Sequence, residues 1–118
     1  MIAVVEDEEM VRSALERLLK TAGYTVAAFA SAEAFLNSGP LREIHCLIAD
    51  IRMPGMSGLD LQSRLKDDGD PVPIIFITAH GDEETRTRAM RAGAIAFLAK
   101  PFERTVLLEH VRTCLDMR

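Results

Sequence analysis

Short apolar runs and amphipathic runs alternate along this chain, and that alternation limits the fold more than any single residue does. Ile2 to Val5, Thr25 to Phe29, Ile44 to Ala49, Ile74 to Ile77 and Ile95 to Leu98 each read as a buried strand. From Glu8 to Thr21, apolar residues recur at Val11, Ala14, Leu15, Leu18 and Leu19, the spacing of a helix face, and Gly23 fits its stop. Ser31 is positioned to cap a helix from Ala32 to Leu36, which Gly39-Pro40 closes. A third helix is predicted over Ser57 to Lys66 with Leu59, Leu61 and Leu65 facing inward, and Pro71 and Pro73 bracket the turn after it. Asp82 caps a fourth, running to Arg91 and ended by Gly93. The fifth, from about Glu103 to Leu115, carries Val106, Leu107, His110, Val111 and Cys114 on or near one stripe. Strict alternation of strand and helix predicts an α/β fold whose parallel sheet is covered on both faces. Right-handed crossovers leave few topologies, and five strands fit a doubly wound sheet of order 2-1-3-4-5 with five helices.

At 118 residues the chain makes one domain with a single core, and 48% apolar residues mark it as globular. A net charge of −4 argues against this domain gripping nucleic acid by itself. The opening Met1-Ile2-Ala3-Val4-Val5 runs straight into Glu6-Asp7-Glu8-Glu9, too short and too acidic for a signal segment. No apolar run nears the roughly 20 residues that cross a bilayer, so a soluble cytoplasmic domain without membrane contact is expected. Cys46 and Cys114 lie in apolar contexts and read as buried free thiols, a disulfide being the alternative.

In such a sheet the chemistry gathers where strands end. Asp50 closes the run Cys46-Leu47-Ile48-Ala49 and opens the loop Ile51-Arg52-Met53-Pro54-Gly55-Met56-Ser57-Gly58. Glu6-Asp7 follows the first strand, Thr78 the fourth and Lys100 the fifth. Acids at a helix start are ordinarily solvated complements to the helix dipole, which is the reading for Glu8 and Glu9. Glu6 and Asp7 instead follow a buried strand directly, opposite Asp50. Three carboxylates there repel one another unless a hard cation joins them, and a small oxygen-ligated site suits Mg²⁺. Without the metal, at least one of them should titrate high. Thr78 and Lys100 are weak signals singly, an ordinary strand threonine and a surface lysine. With the acids they complete a site for a phosphoryl group, the ammonium serving as a point cation for an anionic oxygen.

The segments Val4-Val5-Glu6-Asp7, Asp50-Ile51-Arg52-Met53-Pro54 running to Gly58, Thr78-Ala79 and Lys100-Pro101-Phe102 resemble a response-regulator receiver domain of two-component signalling, over essentially the whole chain. The resemblance implies a flavodoxin-like fold and Asp50 as the phosphoacceptor, charged by the phosphohistidine of a sensor histidine kinase. It further implies Mg²⁺ held by Glu6, Asp7, Asp50 and the backbone carbonyl of Arg52, with Thr78 and Lys100 each meeting a phosphoryl oxygen. Lys100-Pro101 resembles a bond that is cis in the family. Thr78-Ala79-His80-Gly81-Asp82, Arg88 to Ala94 and Phe97 to Phe102 most resemble FixJ-like regulators, which carry a DNA-binding output domain for transcription. Residues 1–118 read as a single receiver with no output domain in this chain, so DNA contact is expected only through a domain lying elsewhere. The expectation is a fragment of a longer regulator, because the first strand starts at the very terminus and the last helix ends abruptly, a stand-alone receiver being the alternative.

Two departures from the family pattern stand out. Glu6 occupies a position more often Asp, keeping the charge and adding a methylene. Phe97 occupies the place of an aromatic switch that is commonly Tyr, so it has no hydroxyl; a plain core Phe is the alternative. Thr78 moving inward on phosphorylation would vacate space for Phe97 and alter the surface of the fourth helix and fifth strand, the expected homodimer face. Arg86, Arg88 and Arg91 against Glu83, Glu84, Glu103 or Glu109 offer ion pairs across it, a solvated charge pattern being the duller reading. Arg52 and His80, each two residues past a site residue, are expected to tune the lifetime of the acyl phosphate. A phosphatase using Asp50 as nucleophile would want a second Asp where Arg52 stands, and a flavin phosphate would be repelled by Glu6 to Glu9. The chain therefore reads as a phosphorylatable switch and not a turnover enzyme. A receiver degenerate in phosphorylation, acting only as an interaction module, is the better rival.

Overall fold

The computed structural model describes residues 1–39, 43–70, 72–79 and 81–117. Pro40, Pro71 and His80, which entered the sequence reading, lie outside the described residues. Strands and helices alternate as β1 (Ile2–Val5), α1 (Glu9–Thr21), β2 (Val26–Phe29), α2 (Ala32–Leu36), β3 (Cys46–Asp50), α3 (Gly58–Asp67), β4 (Ile74–Thr78), α4 (Glu83–Arg91), β5 (Ala96–Ala99) and α5 (Arg104–Met117). They form a five-stranded sheet of order β2-β1-β3-β4-β5, parallel throughout. Among the described residues, no helix is long and apolar enough to cross a membrane.

Strand side chains alternate between two cores, as the period of two requires. Ala3, Val5, Leu47, Ala49, Ile74 and Phe76 pack with Phe35 of α2, Leu61 and Leu65 of α3 and Ala89 of α4. Ile2, Val4, Cys46, Ile48, Ile75 and Ile77 pack on the other face with Leu15 and Leu19 of α1 and Leu107, Val111 and Cys114 of α5. Both cysteines are buried free thiols, and its contact to Cys114 together with burial pushes the Cys46 thiol far up. Ala14, expected on the inward stripe of α1, is exposed.

Helix starts follow their caps. Ser31 Oγ accepts the Ala34 N–H at 3.0 Å and Asp82 Oδ1 accepts the Thr85 N–H at 2.7 Å. At α3, Ser57 and Asp60 form a reciprocal capping box, so the helix begins at Gly58, one residue later than expected. Three strands also shift forward. β3 takes in Asp50 and starts at Cys46, not Ile44; β4 takes in Thr78; β5 runs Ala96–Ala99. The ladder explains the shift, because Asp50 pairs with Ile77 and Thr78 with Ala99. The polar residues that seemed to end the strands are their last paired members.

Candidate functional site

The strand ends bring Glu6, Asp7, Asp50 and Lys100 together. Glu6 follows β1 and extends its pairing through its N–H to the Phe29 carbonyl at 3.1 Å. Its side chain is fully buried, and Oε2 accepts the Glu8 N–H at 3.1 Å. Asp50, 5% exposed, accepts the Arg52 N–H on Oδ1 at 3.2 Å. Lys100 Nζ lies between the two acids, 2.6 Å from Glu6 Oε1 and 2.9 Å from Asp50 Oδ2. Asp7 is exposed, and one carboxylate oxygen from each of Glu6, Asp7 and Asp50 falls within 4.8 Å of the others.

Burial drives the electrostatics. Desolvation raises the Glu6 carboxyl above the ordinary glutamate value, more than its bonds to Lys100 and Glu8 lower it, and the Asp50 charge adds to the rise. An acid titrating high was expected here, although repulsion between carboxylates is the lesser cause. Burial lowers Lys100, yet its bonds to Glu6 and Asp50 outweigh that, so the ammonium is held above the ordinary lysine value. An oxygen-only donor set, acidic and open to water through Asp7, fits a small hard divalent cation. Lys100 bridges the two buried acids and offsets part of their charge.

Thr78 is buried at the end of β4, one residue beyond the partner of Asp50, and its carbonyl accepts the Lys100 N–H at 2.9 Å. Phe97, half-buried on β5, turns its ring toward Gly81. A Cβ placed on Gly81 would stand 2.7 Å from Phe97 Cε1 and 3.0 Å from Thr78 Cγ2. The hydroxyl-bearing and aromatic residues therefore meet at one glycine. The Lys100-Pro101 peptide is cis. Arg52 is exposed, and its charge helps lower the Asp82 carboxyl, behind the larger effect of the bonds to Thr85. His80, its expected companion, lies outside the described residues.

Three side chains absent from the sequence reading hold the surroundings in place. Arg12 Nη1 donates to the carbonyls of Glu6 at 2.9 Å and Asp7 at 3.4 Å, tying the acidic loop to α1. Glu33 Oε2 accepts the Met56 N–H at 3.1 Å across 23 positions. Gln62, buried on α3, donates to the Ala89 carbonyl of α4 at 3.1 Å. Helical spacing gave one clue, since Arg12 lies on the turn of α1 that faces the Glu6-Asp7 loop. Nothing in the sequence signals the other two.

This fold is that of a known family. Residues 2–112 match the family model of the response regulator receiver domain, and the chain belongs to that family. Within it the chain is FixJ-like. The solved structure of FixJ-N superposes with a TM-score of 0.87 at 41% identity, covering 98% of this chain and 92% of that one. The response regulator StyR gives a TM-score of 0.92 at 46% identity, covering 98% of this chain and 59% of that one. The response regulator protein TmoT of Ectopseudomonas mendocina is 45% identical over 117 residues, 99% of this chain and 53% of its own length. The chain spans about half the length of the curated relatives it matches.

Proposed function

We propose that residues 1–118 form a single receiver unit whose Asp50 takes a phosphoryl group from a sensor histidine kinase. The observation that supports this best is the pairing of Lys100 with both Glu6 and Asp50 beside the exposed Asp7. In the reaction an Asp50 carboxylate oxygen attacks phosphorus, the P–N bond to the kinase histidine breaks, and an acyl phosphate forms on Asp50. Glu6, Asp7, Asp50 and the Arg52 carbonyl would hold Mg²⁺, which when bound offsets the charge on the transferring oxygens. Lys100 keeps its contact with Asp50 and offers its remaining donors to one phosphoryl oxygen; Thr78 donates its hydroxyl to another. The extra methylene of Glu6 lets its carboxylate reach both Lys100 and the Glu8 amide.

The new charge, about −1.5 to −2 with three acceptor oxygens, then biases an existing equilibrium. Thr78 drawn toward the phosphoryl group makes room beside Gly81 into which Phe97 turns, and the α4–β5 surface changes. That surface is the proposed homodimer face. Among the described residues Arg86, Arg88 and Arg91 are exposed and take part in no ion pair within the chain, which leaves them for a partner. Arg52 and His80 tune hydrolysis of the acyl phosphate, and output to DNA runs through a domain of the longer regulator. Intact mass and oligomeric size, followed with Mg²⁺ and a small phosphodonor or beryllofluoride, test the proposal. One phosphoryl adduct, lost in Asp50→Ala, with a shift to dimer is expected. An adduct without the size shift removes the dimer face, and no adduct removes the phosphoacceptor.

A further inference from the structure

We propose that Glu33 is a positioning residue for the phosphoacceptor loop. Its carboxylate, reaching over from α2, fixes the backbone between Arg52 and Met56 and so sets how well the Arg52 carbonyl meets a divalent cation beside Asp50. The cation-binding part of this inference rests on the function proposed above.

The loop's other amide contacts are local. The Arg52 N–H reaches Asp50 Oδ1, the Ser57 N–H reaches Asp60 Oδ2, and the Gly58 N–H reaches the Ile51 carbonyl. Pro54 has no N–H to give. Among the described residues, the Met56 N–H alone of these bonds to another element, at Glu33 Oε2. A second observation places the same oxygen against the turn. Gly55 has φ +76°, and a Cβ built on it would lie 2.5 Å from Glu33 Oε2. The carboxylate therefore rests on the bare face of the glycine while it takes the next amide but one along the loop from Pro54.

Neither contact follows from burial, because Glu33 is exposed and makes no ion pair among the described residues. An exposed carboxylate left to itself stays hydrated. This one is carried on a helix anchored by buried Ala32 and Phe35 and capped by Ser31, so its base is fixed. A carboxylate acceptor on a backbone N–H is a charge-assisted bond. Its effect falls on the loop that follows Asp50, whose second residue, Arg52, is the proposed carbonyl ligand. Contacts one step outside a metal's own ligands commonly govern affinity by orienting those ligands.

Mg²⁺ titration followed at the Asp50 and Arg52 amide resonances tests this in the parent, Glu33→Gln and Glu33→Ala, alongside metal-free hydrogen exchange at Met56. Glu33→Ala should weaken Mg²⁺ about tenfold and speed Met56 exchange, with thermal stability in EDTA little changed. Glu33→Gln keeps an oxygen acceptor without the charge, and it should recover about half of both losses. Parent-like Mg²⁺ affinity in Glu33→Ala would overturn the proposal. Equal losses in Gln and Ala would overturn it too, since the charge and not the bond would then be acting. If the parent itself binds no Mg²⁺, the phosphoacceptor reading falls separately. The exchange rate at Met56 still decides whether Glu33 holds the loop.

Discussion

Gly58 and Gly81 follow neighbouring strands, β3 and β4, and neither has room for a side chain, yet different things crowd them. A Cβ on Gly58 would collide with the backbone carbonyl of Asp50 and stand 3.0 Å from Ile51 Cα. A Cβ on Gly81 would meet the ends of two side chains, the Phe97 ring and the Thr78 methyl. The β3 flank is closed by backbone. Its helix starts in a reciprocal capping box and buries Leu61, Gln62 and Leu65. The β4 flank is closed by groups that can turn, and its helix buries Ala89 alone among the described residues. At the C-terminal end of α4 the Gln62 bond to the Ala89 carbonyl holds the helix, while its N-terminal end, beside Thr78 and Gly81, is held by the Asp82 cap. A phosphoacceptor gains from a rigid seat, and a reporter of its state must be free to move. Under the function proposed above, the two flanks divide those demands.

The largest expected effect strikes the rigid side. Lys100→Met leaves Glu6 buried without its cation. Removing one partner of a buried pair costs about 3 kcal/mol or more, and urea unfolding in EDTA should show that loss. Millimolar Mg²⁺ should restore part of it, because the cation takes over the neutralising role. Unchanged stability in EDTA would mean that Glu6 is not held as an ion pair with Lys100, and the seat of Asp50 would owe nothing to that pair.

Matched glycine substitutions test the comparison itself. Gly58→Ala should cost about 3 kcal/mol, the upper range for overpacking, since the Asp50 carbonyl cannot retreat without breaking the sheet edge. Gly81→Ala should cost about 1 kcal/mol, because the half-buried Phe97 ring can swing outward. In a double-mutant cycle with Phe97→Ala, the Gly81 penalty should largely vanish, a coupling of about 1 kcal/mol. Equal penalties at the two glycines, or strict additivity with Phe97, would break the contrast.

Much of this was legible in the sequence because it rests on periodicity and strand ends. The five strands, the span of α2 and the caps at Ser31 and Asp82 follow from local pattern, and the strand order from the few topologies that right-handed crossovers allow. So does the meeting of Glu6, Asp7, Asp50 and Lys100, since a parallel sheet puts all its strand ends on one edge. The contacts of Arg12, Glu33 and Gln62 were not legible, and the reason is physical. Each bonds to a backbone group whose direction is set by a turn or a helix end in another element. The pairing of side chain with side chain leaves a trace in residue type, but a backbone carbonyl accepts and a backbone N–H donates whatever residue carries it. The closeness of Phe97 to Gly81 is intermediate. The family resemblance pointed to Phe97 as an aromatic switch, a plain core Phe being the alternative, and only the geometry showed which glycine its ring faces.

The smallest expected effect concerns the N-terminal end of α4, beside Thr78 and Gly81. Bonds from the Thr85 amide and hydroxyl hold the Asp82 carboxyl below the ordinary aspartate value, with the Arg52 charge adding a little. A carboxyl lowered by folding stabilises the fold above its unfolded value, near 3.9. That contribution is lost as pH falls through the still lower folded value. The N-terminal turn of α4 should therefore loosen at the acid end, below about pH 4, while staying intact near neutrality. Hydrogen exchange at the Thr85 amide, corrected for intrinsic rates, should rise across that interval in the parent. In Asp82→Asn it should stay flat, because an amide caps without titrating. The same loosening should leave the Met56 and Gly58 amides on the other flank less affected. If both flanks open together on acidification, α4 is not the independent element that its sparse burial describes, and the movable side of the site would have to lie in the Phe97 ring alone.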